Sequence, residues 1–162
     1  MMISCHQQQE NPLLGEFNTP FGVPPFEQIK TEHYMPAFEE AIKQHNTEIE
    51  AIVNNPEAPT FKNTIEPLEF SGLLLSRINL IFSSLTEADT NDELQAIAKE
   101  ISPKLTEHYD NISLNDKLFQ RIKTVYDNRE NDGLDPEQMN VLENHYKDFV
   151  RACALLPEAA KD

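Results

Sequence analysis

The chain has 162 residues, with 13 Lys and Arg against 28 Asp and Glu, a formal net charge of −15 and a pI near 4.6. A surface this acidic repels phosphate backbones and anionic headgroups, and no Lys/Arg stripe offers a local exception, which argues against nucleic acid and membrane surfaces as partners. With 39% hydrophobic residues the chain can bury a core, while 4 Gly beside 11 Pro and no Trp leave little material for Gly-rich phosphate loops or multi-turn β architectures.

Residues 1–10 read as a polar tail. Within it Met2-Ile3-Ser4-Cys5 is similar to the end of a bacterial lipoprotein cleavage box, without the charged and apolar parts that precede such a box. Cys5 and Cys153 stand near opposite ends of the chain, and a disulfide framework needs more cysteines, so both are expected as free thiols. No uninterrupted apolar run approaches the ~18 residues that span a bilayer, and no membrane insertion is expected. Residues 11–30 read as an extended arm, because the prolines of Thr19-Pro20-Phe21-Gly22-Val23-Pro24-Pro25 each remove an N–H and restrain the preceding residue. Leu13, Leu14, Phe17, Phe21, Val23 and Phe26 are its expected apolar anchors.

The remainder predicts an all-α fold, about five helices in antiparallel hairpins. Thr31 reads as the N-cap of a helix over about 31–54, with Tyr34, Phe38, Ala41, Ile42, His45, Ile49, Ile52 and Val53 at three- and four-residue steps. Asn54 to Pro59 stops it. A second helix over roughly 61–86 is apolar on several sides, which predicts a central position. Thr90-Asn91-Asp92-Glu93 has the form of a capping box and opens a third helix, with a kink expected at Pro103 and a face of Leu94, Ile97, Ile101, Leu105, His108 and Ile112. Asn115 opens a fourth. Asp135-Pro136-Glu137-Gln138 combines an N-cap, Pro at the first helical position and Gln three residues after the cap, and predicts a fifth helix with Met139, Leu142, Tyr146, Phe149, Val150 and Cys153 inward. Pro157 to Asp162 has the chemistry of a further helix start, so a continuation beyond residue 162 is expected.

Three sets of motifs are more specific than this periodicity. Asn11-Pro12-Leu13-Leu14, Thr19-Pro20-Phe21-Gly22-Val23-Pro24-Pro25-Phe26 and Ile29-Lys30-Thr31-Glu32-His33-Tyr34-Met35-Pro36-Ala37-Phe38 lie at the start; Asn54 to Ile65 and Ala88 to Leu94 follow; Tyr146-Lys147-Asp148-Phe149-Val150-Arg151 closes the series. Together they resemble the N-terminal region of bacterial peptidyl-dipeptidases of the M3 zinc metallopeptidase family, the group of oligopeptidase A-like enzymes, over residues 11–162. The resemblance implies an all-helical enzyme several times longer than this chain, closed around a deep channel, which cleaves short peptides and releases C-terminal dipeptides. It implies residues 31–162 as a helical N-terminal region cut off before the catalytic domain, cytoplasmic residence, and partners limited to short peptides and the missing C-terminal domain. The Cys5 signal leaves an envelope lipoprotein as the alternative location. A stand-alone helical module that binds peptides or a partner without cleaving them is the alternative function.

The family's zinc ligands and catalytic acid lie on a His-Glu-x-x-His helix and a downstream Glu, and this chain contains no His-Glu dipeptide. Two His at i and i+4 on one helical face hold zinc, with a carboxylate beside them to take a proton from bound water. His6, His33, His45, His108 and His145 never stand four apart, and no Glu precedes one of them by three. His45 with Glu48 and His145 with Asp148 share i, i+3 spacing, which reads as surface hydrogen bonding. Cys153 sits between Ala152 and Ala154 on an apolar helical face, a setting for a buried, inert thiol. Phe61, Phe70 and Phe82 read mainly as core, with channel lining as the second reading, and Glu39-Glu40 and Asp89 to Glu93 as solvated acidic faces. The chain is therefore expected to hold no catalytic, cofactor-binding or metal-binding residue of its own.

Overall fold

Helices carry the whole structure, a computed structural model that describes residues 11–88 and 91–154, and no strand occurs among them. The helices are α1 (Tyr34–Val53), the single turn α2 (Glu66–Glu69), α3 (Leu73–Ala88), α4 (Asp92–Ser113), α5 (Asp116–Asn128) and α6 (Pro136–Ala154). The five long ones match the sequence expectation.

Their ends follow local chemistry. Asn91 and Asn115 cap α4 and α5, each side chain accepting from the backbone N–H three residues on, at 2.9 and 3.0 Å. Ahead of α6, Asp135 accepts from the Gln138 N–H at 2.9 Å while Gln138 accepts from the Asp135 N–H at 3.1 Å, the reciprocal box read from the sequence. The proposed box at Thr90 lies partly outside the described residues, and the cap of α4 is Asn91. Thr31 does not cap α1. It lies in a 3-10 turn, Thr31–His33, whose His33 Nδ1 accepts from the Lys30 N–H at 3.0 Å. α4 runs through Pro103 as one element.

The second helix is interrupted. A π turn, Phe61–Ile65, opens it on a Thr60 cap, α2 follows, and the backbone breaks at Phe70-Ser71-Gly72 before α3. Glycine resolves the break because residue 72 has φ +68°, a conformation that side chains disfavour. Taken together, Phe61–Ala88 reaches a mean hydropathy of 1.2 over an 18-residue window, enough for a spanning helix by composition. The stretch is interrupted at Phe70–Gly72, carries Arg77, and buries Ile65, Leu75, Ile78 and Phe82 while Phe70, Leu73 and Leu80 stay exposed.

The N-terminal segment departs from a plain extended arm. It is a chain of turns with a 3-10 turn at Pro20–Gly22. Leu13 is fully buried and Leu14 and Phe17 pack partly beside it, but Phe21, Val23 and Phe26 are exposed. Phe21 has φ 63° with its side chain wholly in solvent, so the proline-rich turn fixes the backbone without seating the ring. On α6, Val150 also faces solvent rather than inward, because Leu142 and Phe149 already fill the contact with α5.

Two apolar clusters result. The first joins Leu13, the N-terminal half of α1 (Tyr34, Phe38, Ala41), α3 (Leu75, Ile78, Phe82) and α4 (Leu94, Ile101). The second joins the C-terminal half of α1 (Ile49, Ile52), Ile65 and Leu68, α5 (Leu118, Ile122, Val125) and α6 (Leu142, Phe149). Three segments cross between them. Each carries a polar residue at the crossing: His45 between Ala41 and Ile49, Ser71 between Leu68 and Leu75, and His108 between Ile101 and Ile112.

Candidate functional site

These three residues form one hydrogen-bonded layer. His108 Nε2 stands 2.9 Å from His45 Nδ1, and His45 Nε2 stands 3.2 Å from Ser71 Oγ. The Ser71 hydroxyl donates to the Leu68 carbonyl at 2.7 Å, so it accepts from His45. That direction puts the His45 proton on Nε2 and leaves Nδ1 to accept from His108 Nε2–H. Both rings are buried, at 8% and 4% exposure, and meet edge to face at 4.9 Å. Burial pushes the His45 pKa below its ordinary value, and the neighbouring His108 pushes it further against a pull from Glu48 in the other direction; burial alone lowers His108. Both are neutral at physiological pH.

The break at Gly72 completes the layer. Glu48 accepts from the Gly72 N–H at 2.7 Å, tying α1 to the break. A Cβ on residue 72 would lie 2.6 Å from the His45 ring, so the close approach requires glycine for space as well as for φ.

Arginines fasten the two peripheral segments. Arg121 on α5 is buried and donates to the Asn55 and Glu57 carbonyls and to Asn63 Oδ1 and Thr64 Oγ1, at 2.9–3.3 Å. It thereby satisfies the loop after α1 and locks the π turn onto α5. Arg77 on α3 donates to the Leu13 and Gly15 carbonyls, both at 3.0 Å, and covers the Phe17 ring at 4.7 Å. Neither arginine faces a carboxylate in these contacts, so their work is structural.

The other residues singled out from the sequence are dispersed. His145 pairs with Glu69 at 2.8 Å rather than with Asp148, which pairs with Arg151 at 3.2 Å. Glu48 is taken by Gly72 and by Gln44, not by His45. Phe82 is buried edge to face against Tyr34 and Phe38, Phe61 packs on the second cluster and Phe70 is exposed, so the three do not line one surface. Glu39 and Glu40 are solvated and paired with Lys104 and Lys43. Cys5, His6 and Asp89 lie outside the described residues, as does the side chain of Cys153.

The residues present do not fit zinc. A catalytic zinc takes three protein ligands, whereas the two histidines aim nitrogens at each other and the nearby carboxylate is already engaged. Among the described residues no group of three or more His, Cys, Asp or Glu could hold a metal ion. The His45–His108 contact escapes sequence reasoning because 63 residues separate its members. Spacing rules see only neighbours on one helix.

Over 151 residues the chain is 44% identical to dipeptidyl carboxypeptidase of Salmonella typhimurium and, equally, to that of Escherichia coli K12. Its homologues are dipeptidyl carboxypeptidases. Oligopeptidase A of Escherichia coli K12 is further away, 28% identical over 148 residues. The match covers 93% of this chain but 22% of either dipeptidyl carboxypeptidase, so the chain spans about a fifth of the length of those relatives. No protein-family model matches it.

Proposed function

We propose that this chain is the N-terminal helical region of a zinc-dependent peptidyl-dipeptidase of the M3 type, and that in the whole enzyme it forms one wall of the substrate channel and restricts entry to short, unfolded peptides. The observation that carries this reading is the 44% identity to dipeptidyl carboxypeptidases over 93% of the chain. Zinc and the water-activating carboxylate belong to the remainder of such an enzyme; this chain contributes shape and cover. Its residence is the cytoplasm, the alternative being an envelope lipoprotein, and fractionation with mass spectrometry of the mature N-terminus separates the two.

The test is complementation. The chain is mixed or co-expressed with a dipeptidyl carboxypeptidase lacking the matching residues, and release of C-terminal dipeptides from a short blocked peptide is followed with and without a chelator. Activity is expected only when both parts are present, and is lost with the chelator. Tight peptide binding by the chain alone, with no effect on its would-be partner, would instead favour a stand-alone binding module.

A further inference from the structure

We propose that the His45–His108 pair is a proton-sensitive clasp, which holds the Phe70–Gly72 break against α1 and α4 at the boundary of the two apolar clusters while both rings are neutral and lets the break open locally when mild acid protonates it. The inference does not depend on the enzyme reading above. It rests on where the pair lies. Three segments cross from one cluster to the other, and all three crossings meet at these hydrogen bonds.

The geometry limits how many protons the pair accepts. One added proton, on His108 Nδ1, leaves the hydrogen bonds in place but sets a charge in an apolar boundary. A second, on His45 Nδ1, turns two N–H donors toward each other across 2.9 Å and removes the acceptor from the contact. Opening relieves both problems by giving the rings to water. The open state binds more protons than the closed one at a pH below the ordinary histidine value of about 6.5, so the clasp holds fully above that pH and weakens as pH falls through it. The downward direction of both ring pKa values agrees with this sign.

The surrounding elements present few competing groups. α1 contributes Glu48, whose carboxylate holds the Gly72 N–H, and α4 contributes Tyr109, whose ring lies 5.2 Å from His108. The segment before the break also carries Glu69, paired with His145 of α6. Measurements from pH 7.5 to 5.5 stay above the ordinary carboxylate range of about 4, and a His145→Gln control removes the imidazole paired with Glu69.

The experiment is amide hydrogen exchange on the full chain, expressed as protection factors, with ring titrations of the histidines by carbon-detected magnetic resonance. Between pH 7.5 and 5.5 protection at Ser71 and Gly72 is expected to fall by at least about tenfold, the limit being about tenfold per pH unit for each ring. Amides at Ile78 and Ile122, inside the two clusters, stay protected, and His145→Gln behaves like the natural chain. In His45→Gln the side-chain carbonyl accepts from His108 and the amide donates to Ser71 without taking a proton, which leaves His108 as the one titrating ring of the pair, so the fall is expected to be several-fold smaller than in the natural chain. Unchanged protection in the natural chain, or an equal fall in His45→Gln, overturns the proposal. Should that variant not fold, the titrations decide: both rings must titrate below the ordinary histidine value together with the loss of protection, and titration like a free imidazole with protection intact overturns it.

Discussion

The two apolar clusters are similar in size and unlike in construction. In the first, aromatic rings meet edge to face, Tyr34 with Phe82 at 5.0 Å and Phe38 with Phe82 at 5.5 Å, and burial alone holds them. In the second, rings stack in parallel, Tyr126 on Tyr146 at 3.9 Å and Phe119 beside Phe149, and a buried arginine ties the adjoining loop to the helices. The first has Arg77 on the Leu13 and Gly15 carbonyls, but that contact ties the N-terminal segment and leaves the helices of the cluster to be held by burial. The second has a polar fastening whose removal leaves carbonyls without donors. α1 is shared, so the difference arises from what packs on its two halves.

Emptying each cluster in turn tests how far they are independent. Phe38→Ala, at a fully buried position, is expected to cost about 3–5 kcal/mol and to lower exchange protection in α3 and α4 first. Leu142→Ala is expected to cost about 2–5 kcal/mol and to lower it first in α5 and α6. Chemical denaturation with residue-resolved exchange checks both, and equal loss across all helices in either variant would make the clusters one cooperative unit.

A smaller effect is expected at the boundary. Gly72→Ala forces a left-handed residue to carry a Cβ against the His45 ring, and a loss of about 2–3 kcal/mol is expected from backbone strain and overpacking. Its mark should be a shift of the His45 ring resonances in the folded chain. The smallest effect has the opposite sign. The Tyr34 hydroxyl is buried in the first cluster with no hydrogen-bond partner, so Tyr34→Phe removes an unsatisfied group and is expected to raise stability by about 1 kcal/mol. A loss on that substitution would mean that the first cluster depends on the hydroxyl after all.

How much of this was legible beforehand depended on range. The box ahead of α6 and the Asn115 start of α5 were readable, because partners three residues apart sit side by side in any sequence. The break at Ser71-Gly72 was not, since an apolar run masked it and one glycine inside a helical pattern is a weak signal. The Thr60 cap was hidden for a related reason: its return bond comes from Asn63, where a Glu or Gln is the usual mark. The arm reads as extended but forms a chain of turns with a 3-10 turn at Pro20–Gly22, and its anchoring was overcounted, because hydrophobicity does not say which of six apolar side chains finds a slot. The histidine layer was invisible altogether, as its members meet only once α1, the break and α4 have packed.

The Arg77 clamp sets an order of events during synthesis. Its guanidinium grips the Leu13 carbonyl from 64 residues further along the chain. At translation speeds of about 5–20 residues per second, Leu13 waits about 3–13 s for the residue that will hold it. The first described segment to leave the ribosome is thus clamped only once residue 77 has followed it, and until α3 emerges its leucine is open to chaperones and proteases.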